Sequence, residues 1–160
     1  MIRIRSYRPS DREACFHVFR RAVHEGAVRY DQAMRDGWAP RATPDLTTRD
    51  KLLDQECWVS EVDGTLTGFM SLMPDGHLDT AFVLPEVMGQ GHAAALYDRL
   101  LARAQALGLA RLTVHANAYS SRFLGRRGWQ VERVEPMSLP NGAPFERFHM
   151  ALDLTEGAAA

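Results

Sequence analysis

Residues 78–100, LDTAFVLPEVMGQGHAAALYDRL, decide how the rest of the chain is read. A strand-like run ends at Pro85, a glycine pair follows at Gly89 and Gly91, and apolar residues at helical spacing begin at Ala93. A strand that passes through a glycine turn into a helix leaves the first N–H groups of that helix without carbonyl partners. They lie at the positive end of the helix dipole, where anions and phosphates in particular are bound. The junction has neither G-x-x-x-x-G-K-[ST] nor G-x-G-x-x-G, so the two common nucleotide-binding turns are disfavoured. By themselves the glycines are also compatible with a plain turn.

Working outward, Ala93, Leu96, Tyr97, Leu100, Leu101, Ala104 and Leu107 form one helical stripe, and Gly108 is placed to end that helix. Upstream, CWVSEV, TLTGFMSLM and HLDTAFV read as three strands joined by the turn sequences DG and PDG, an antiparallel meander. At the N-terminus IRIRSYR alternates with period two, and Pro9, Ser10 and Asp11 supply a turn and a helix cap. Cys15, Val18, Phe19, Ala22 and Val23 then give a helix one apolar face, which predicts a buried, inert Cys15.

Residues 26–55 carry a weaker signal: a short helix over 31–36, a break at Gly37 and Pro40, and another helix over 47–53. Downstream, RLTVHA reads as a strand and YSSRFLGRR as a short helix stopped by Gly128. WQVERVE and FERFHMALDL read as two strands separated by the loop PMSLPNGAP. The order predicts an α/β (α+β) domain over residues 1–154, a mixed sheet with helices on both faces, and a frayed tail over 155–160.

Composition narrows the function classes. With 46% hydrophobic residues in 160, the chain has material for one ordinary core. Its 19 basic and 20 acidic side chains leave a net charge of -1, so no chain-wide attraction to nucleic acid or to an anionic membrane is expected. Two cysteines are too few for a disulfide framework. The charged N-terminus is unlike a signal segment, and no apolar run approaches the ~20 residues of a membrane span. A cytoplasmic protein is expected.

The run VLPEV followed by MGQGHA resembles the acyl-CoA site of the GNAT superfamily of N-acetyltransferases, whose signature is [QR]-x-x-G-x-[GA] after a strand ending V-x-P. Val83, Pro85, Gly91 and Ala93 match it, while Met88 stands where glutamine or arginine is usual. FLGRRGW resembles the later F-Y-x-x-x-G-F segment, and RYDQAMRDGWAP resembles a bacterial subgroup of small enzymes whose substrates are mostly uncharacterised. The resemblance implies a GNAT-like, mostly antiparallel sheet of six to seven strands with a splayed pair that holds the cofactor. It implies acetyl-CoA as co-substrate and no metal.

It further implies that backbone groups of Phe82 and Val83 pair with the pantetheine arm, and that N–H groups of Met88, Gly89, Gln90, Gly91, His92, Ala93 and Ala94 hold the pyrophosphate. Asn117 matches a cofactor-bonding position and is equally suited to cap a helix. His77 and Asp79, two apart on one strand and so on one face, are the candidate general bases. His77 is equally suited to close the PDG turn, and Asp79 to pair with a neighbouring arginine. By register from Gly128 the family's proton-donating tyrosine is replaced by Leu124, so Tyr119, one turn earlier, is the remaining candidate acid or else a core residue.

The expected activity is acetyl transfer from acetyl-CoA to a primary amine of a small molecule, by direct attack in a ternary complex. The alternatives are a non-catalytic acyl-CoA-binding sensor and a protein-modifying acetyltransferase. Tyr30 and Trp38 either line the acceptor pocket or belong to the core. His92 is expected as an exposed first-turn residue or near the phosphate, and His115 as structural. His17, His24 and His149 have no zinc-ligand spacing. Arg122, Arg126 and Arg127 form a basic patch, by default a solvated helix face, and a homodimer through the late strands is compatible with the pattern.

Overall fold

The computed structural model describes residues 1–154; the expectation for the tail falls outside them. Seven strands form one sheet in the order β1-β2-β3-β4-β5-β7-β6. They are β1 (Arg3–Ser6), β2 (Glu56–Val62), β3 (Thr65–Leu72), β4 (His77–Val83), β5 (Arg111–Ala116), β6 (Gln130–Ser138) and β7 (Pro144–Asp153). The helices are α1 (Arg12–Arg21), α2 (Gln32–Trp38), α3 (His92–Ala106) and α4 (Ala118–Gly125).

The meander is as read. β2, β3 and β4 pair antiparallel, and the β2–β3 turn places Asp63 and Gly64 both at positive φ (50° and 80°), the geometry that matches the twist of a tight hairpin. Every sheet contact is antiparallel except β4–β5, which run parallel and pair only at His77↔Thr113 and Leu78↔Val114. β4 continues to Val83 and β5 to Ala116 without pairing with each other, so the two strands diverge. That divergence is the splay the resemblance implied.

Helices cover both faces. On one, Leu96, Leu100 and Ala104 of α3 and Leu124 of α4 pack with Leu72, Leu112, Trp129 and Met150. Leu72, Leu96, Leu100 and Leu112 are fully buried, and each such side chain contributes on the order of 1.5–3 kcal/mol by leaving water. On the other face, Cys15 and Val18 of α1 pack against Val59, Phe69 and Leu84. Cys15 is buried as expected.

Asp11 does not cap α1. Its carboxylate accepts from the Arg8 N–H (2.7 Å) and takes a two-pronged bond from Arg5 (2.8 and 2.9 Å), so it locks β1 to the entry of α1. The Arg5 bonds hold its carboxyl below the usual range. The second weak helix also differs: the chain makes only a 3-10 turn over Lys51–Asp54, started by the Asp50 side chain. Gly37 lies inside α2, whose cap is Asp31. The late hairpin is longer than read, because β6 extends to Ser138 and β7 starts at Pro144, with Ser138↔Pro144 in register. Alternation is broken there by prolines, so sequence periodicity shortens the strands.

Candidate functional site

The glycine junction folds as a 3-10 turn (Pro85–Val87), the loop Met88–Gly91, and then α3. Gly89 and Gly91 adopt φ of +77° and +91°, and a Cβ built on either meets nothing within 4 Å. The glycines are thus required by backbone conformation, and the space beside them is open. Met88 N–H donates to Pro85 O and Gln90 N–H to Val87 O, while the first helical bond runs from Ala95 N–H to Gly91 O. Among the described residues the N–H groups of Gly89, Gly91, His92, Ala93 and Ala94 have no acceptor. Five of the seven expected donors are therefore available to an anion; Met88 and Gln90 use theirs to shape the loop.

Arg21 of α1 reinforces the loop's base with two bonds to Glu86, both 2.8 Å. His92, the first residue of α3, corrects the expectation of an exposed side chain. It is 4% exposed, and its Nδ1 lies 2.8 Å from Thr67 Oγ1, which in turn lies 2.9 Å from Ser60 Oγ. A short polar chain from β2 and β3 thus anchors the start of α3. In sequence the histidine shares the apolar side of the helix, and only the facing hydroxyls make its burial tolerable.

Burial pushes the His92 imidazole below its ordinary range, so the folded protein favours its neutral form. The unfolded chain takes up that proton more readily, at a pKa near ~6.5. Stability from this residue is fully present above that value and is lost as pH falls through the depressed folded value. In thermal melts at pH 7.5 and 5.0, His92→Asn is expected to show a smaller drop in midpoint than the wild type. Equal drops would remove His92 from the pH response.

Beside the loop, Leu84 N–H donates to Thr67 O and Phe82 faces Phe69 in the same register. Antiparallel pairs alternate, so Phe82 turns its backbone groups to β3, while Ala81 and Val83 turn theirs to the open side of the splay. Val83 is where the sequence reading put it. At the other position the edge is supplied by Ala81, and Phe82 contributes its ring.

An apolar cavity follows this edge, lined by Ala81, Phe82, Val83, Ala93, Asn117, Tyr119, Ser120 and Phe123, with Ala22, Gly26, Ala27 and Trp38 over it. Ala22–Gly26 is a π-helical turn that ends α1 above the cavity. Asn117 caps α4, accepting from Tyr119 N–H (2.8 Å) and Ser120 N–H (3.0 Å), and also lines the cavity. Tyr119 is a wall residue rather than core. Its hydroxyl accepts from Arg29 N–H at 2.6 Å, and Tyr30's accepts from Ala118 N–H at 2.9 Å, so two tyrosines clasp the 27–31 segment to α4.

A second cavity, of about 320 Å³, shares Trp38, Met70, Ala81, Phe82, Asn117, Ser120 and Phe123 with the first as wall residues. His77, Asp79, His115, Leu124 and Arg147 line it. The structure therefore brings His77 and Asp79 into one space but places Tyr119 on the first cavity only. Leu124 is in the core at 3% exposure and also touches this space. His77 Nδ1 bonds Thr113 Oγ1 at 2.8 Å, which fixes the ring and leaves Nε2 for another partner.

Asp79 is bound by Gln55 Nε2 and Lys51 Nζ, each at 3.0 Å, so its partner is lysine and not arginine. Burial alone would raise its carboxyl; the Gln55 and Lys51 bonds outweigh that and hold it below the usual range. It is an ionised, engaged carboxylate. His115, expected as structural, packs its ring between His77 and His149, with centroids 4.7 and 4.4 Å apart.

Sequence reasoning missed Ala81, Ser120 and Arg147. Strand alternation around the VLP run was a signal for Ala81, whereas Ser120 and Arg147 reach the site only through the packing of α4 and β7. Arg127 stacks over Phe123, 3.8 Å from the ring centroid, which gives one member of the basic patch a fixed place.

A family model described as "Acetyltransferase (GNAT) domain" matches residues 31–152, and the chain belongs to that family. Several solved structures are similar in fold. The Rhodopseudomonas palustris protein named "GCN5-Related N-acetyltransferase: Aminotransferase, Class-II" has 24% identity over 94% of each chain, with a TM-score of 0.86. A putative acetyltransferase from Salmonella typhimurium, solved with its cofactor acetyl-CoA, has 23% identity over 96% of this chain and 94% of its own, TM-score 0.72. The ribosomal-protein-S18-alanine N-acetyltransferase from Escherichia coli has 17% identity over the same shares, TM-score 0.66. No curated protein matches the chain in sequence.

Proposed function

We propose that this GNAT-family protein transfers the acetyl group of acetyl-CoA to the primary amine of a small molecule, both substrates being bound at once. The observation that carries the reading is the set of five unpartnered N–H groups from Gly89 to Ala94, beside a cavity that follows the open edge of β4 and shares a wall with the one lined by His77 and Asp79. Those donors suit a pyrophosphate. The open backbone of Ala81 and Val83 suits an amide-bearing arm laid alongside as an extra strand.

Acetyl-CoA supplies an activated thioester, so the protein's work is positioning and proton management. A primary ammonium has a pKa near ~10.4 and must lose its proton before it attacks. His77, oriented by Thr113, is the group we assign to receive it at Nε2. Asp79 is held ionised by its partners and draws the ammonium in. Tyr119 and Ser120 are the hydroxyls beside the departing sulfur; Ser120 borders both cavities, and its Oγ accepts from Asn117 N–H at 3.0 Å, which leaves its own proton to give.

The test is a calorimetric titration with acetyl-CoA followed by thiol release against a panel of amines. The protein's own thiols give little background, since Cys15 and Cys57 are buried and burial pushes Cys57 up to about 12. Saturable binding with amine-dependent release is expected. Binding with no release for any small amine or N-terminal peptide would replace the enzyme by a sensor, and release with peptides alone would make it a protein-modifying enzyme.

A further inference from the structure

The second cavity has charges of both signs on different strands. Asp79 projects from β4, while Arg147 comes from β7, two places along the sheet order β4-β5-β7. Paired neighbouring strands are ~4.8 Å apart, and β4 and β5 no longer pair beyond Leu78, so the two backbones stand more than ~10 Å from each other before their side chains reach inward. Arg147 is 37% exposed, and its nearest acid is Glu135, at 3.9 Å. That carboxylate is engaged at 2.9 Å by His149 Nε2. Among the described residues the Arg147 side chain donates no hydrogen bond, its contact with Glu135 being an ion pair at 3.9 Å.

Two other arginines of the sheet are held by acids at closer range. Arg5 is fully engaged by Asp11 and Glu61, and Arg111 by Glu132. An arginine held in a cleft wall with its fork of donors unspent is suited to a planar oxyanion, which it binds through two parallel bonds.

Building on the proposed activity, we infer that the acceptor is a compact zwitterion, a primary amine that also carries a carboxylate or comparable oxyanion group. Arg147 binds the anionic end. The amine end lies toward Asp79 and His77, with the His115 ring between the two poles. Polyamines and aminoglycosides are disfavoured by the same arrangement, because a second cationic group on the acceptor would be brought against Arg147 and near Lys51.

The experiment measures kcat/KM for amino acids, their carboxamides and the matching decarboxylated amines, using wild type, Arg147→Gln and Arg147→Lys. The same compounds are titrated in the presence of CoA while tryptophan fluorescence is followed, since Trp38 lines the cavity; binding is then read even for a compound that is not turned over. Wild type is expected to prefer the carboxylate form by at least ~10-fold, chiefly through KM, as a charge-assisted bidentate contact worth ~1.5–3 kcal/mol requires. Arg147→Gln should bring the ratio close to one, and Arg147→Lys should keep part of it.

The inference is overturned if wild type uses or binds the carboxamide as well as the acid, if polyamines outcompete both, or if Arg147→Gln lowers all three classes alike. Acetyl-CoA affinity, measured alongside, separates this failure from that of the proposed activity. Wild type that does not bind acetyl-CoA would bring down the activity and this inference together.

Discussion

Replacement of Gly91 by glutamate is expected to weaken acetyl-CoA binding at least ~100-fold, equivalent to about 2.7 kcal/mol. Two effects act together. Gly91 has φ of +91°, a conformation that costs a side-chain-bearing residue on the order of 1–3 kcal/mol or forces the loop to relax. Relaxation would turn the N–H groups of Gly91, His92 and Ala93 away from their common focus. A carboxylate would also stand where the pyrophosphate is proposed to bind, at the positive end of α3. Because a Cβ at this position meets no protein atom, the fold itself should survive, and a melting curve near that of wild type is the control.

Gly91→Asn separates the two effects, since asparagine tolerates left-handed backbone and brings no charge. Its loss should be a few-fold only. If Gly91→Glu folds and binds acetyl-CoA as wild type does, the loop is a turn and the ligand lies elsewhere.

His77→Ala is expected to lower kcat by about 10²–10⁴-fold near neutral pH, the range lost with a positioned general base. A structural role would also lower activity, so the pH dependence is the discriminating observation. Without a base, the variant relies on amine deprotonated in solution, which with a pKa near ~10.4 is roughly one molecule in 2,500 at pH 7. Its kcat/KM should therefore rise about tenfold per pH unit between 7 and 9 and close much of the gap. A deficit that stays constant across that range would assign His77 to structure, and an unchanged rate would remove it from the site. The sheet should tolerate the change, because His77 is only partly buried and its one side-chain bond is to Thr113.

Histidine content illustrates what a single sequence conceals. His77 was legible as a site residue because it opens a strand two residues before Asp79, and strand alternation puts both on one face. His92 was misjudged because helix periodicity does not reveal that Thr67 and Ser60, 25 and 32 residues earlier, supply a buried polar partner chain. His115 and His149 looked unrelated, and they meet only because β5 and β7 pair with His115 opposite His149.

The same limit applies to the candidate cofactor contacts. Backbone donors at the glycine loop could be named from the strand, glycine, helix pattern, because the free N–H groups of a helix start are a local consequence of its geometry. That Met88 and Gln90 spend their N–H groups inside the loop depends on the 3-10 turn at Pro85–Val87, whose short-range bonds leave no separate trace in residue type.

Local order was thus determined by the sequence alone. Period-two and period-3.6 patterns, turn dipeptides and glycine positions gave the order of strands and helices, the meander and the glycine loop, and the matching motif residues around that loop carried the family resemblance. Where a pattern was interrupted, as by the prolines of the β6–β7 hairpin or in residues 26–55, the boundaries were displaced. Tertiary structure alone decided which side chains share a cavity wall: Arg147 lining the space with Asp79, Ser120 bordering both cavities, Ala81 on the open edge. Such features arise from side chains distant in the chain competing for the same partners in three dimensions, and that competition has no period along the sequence.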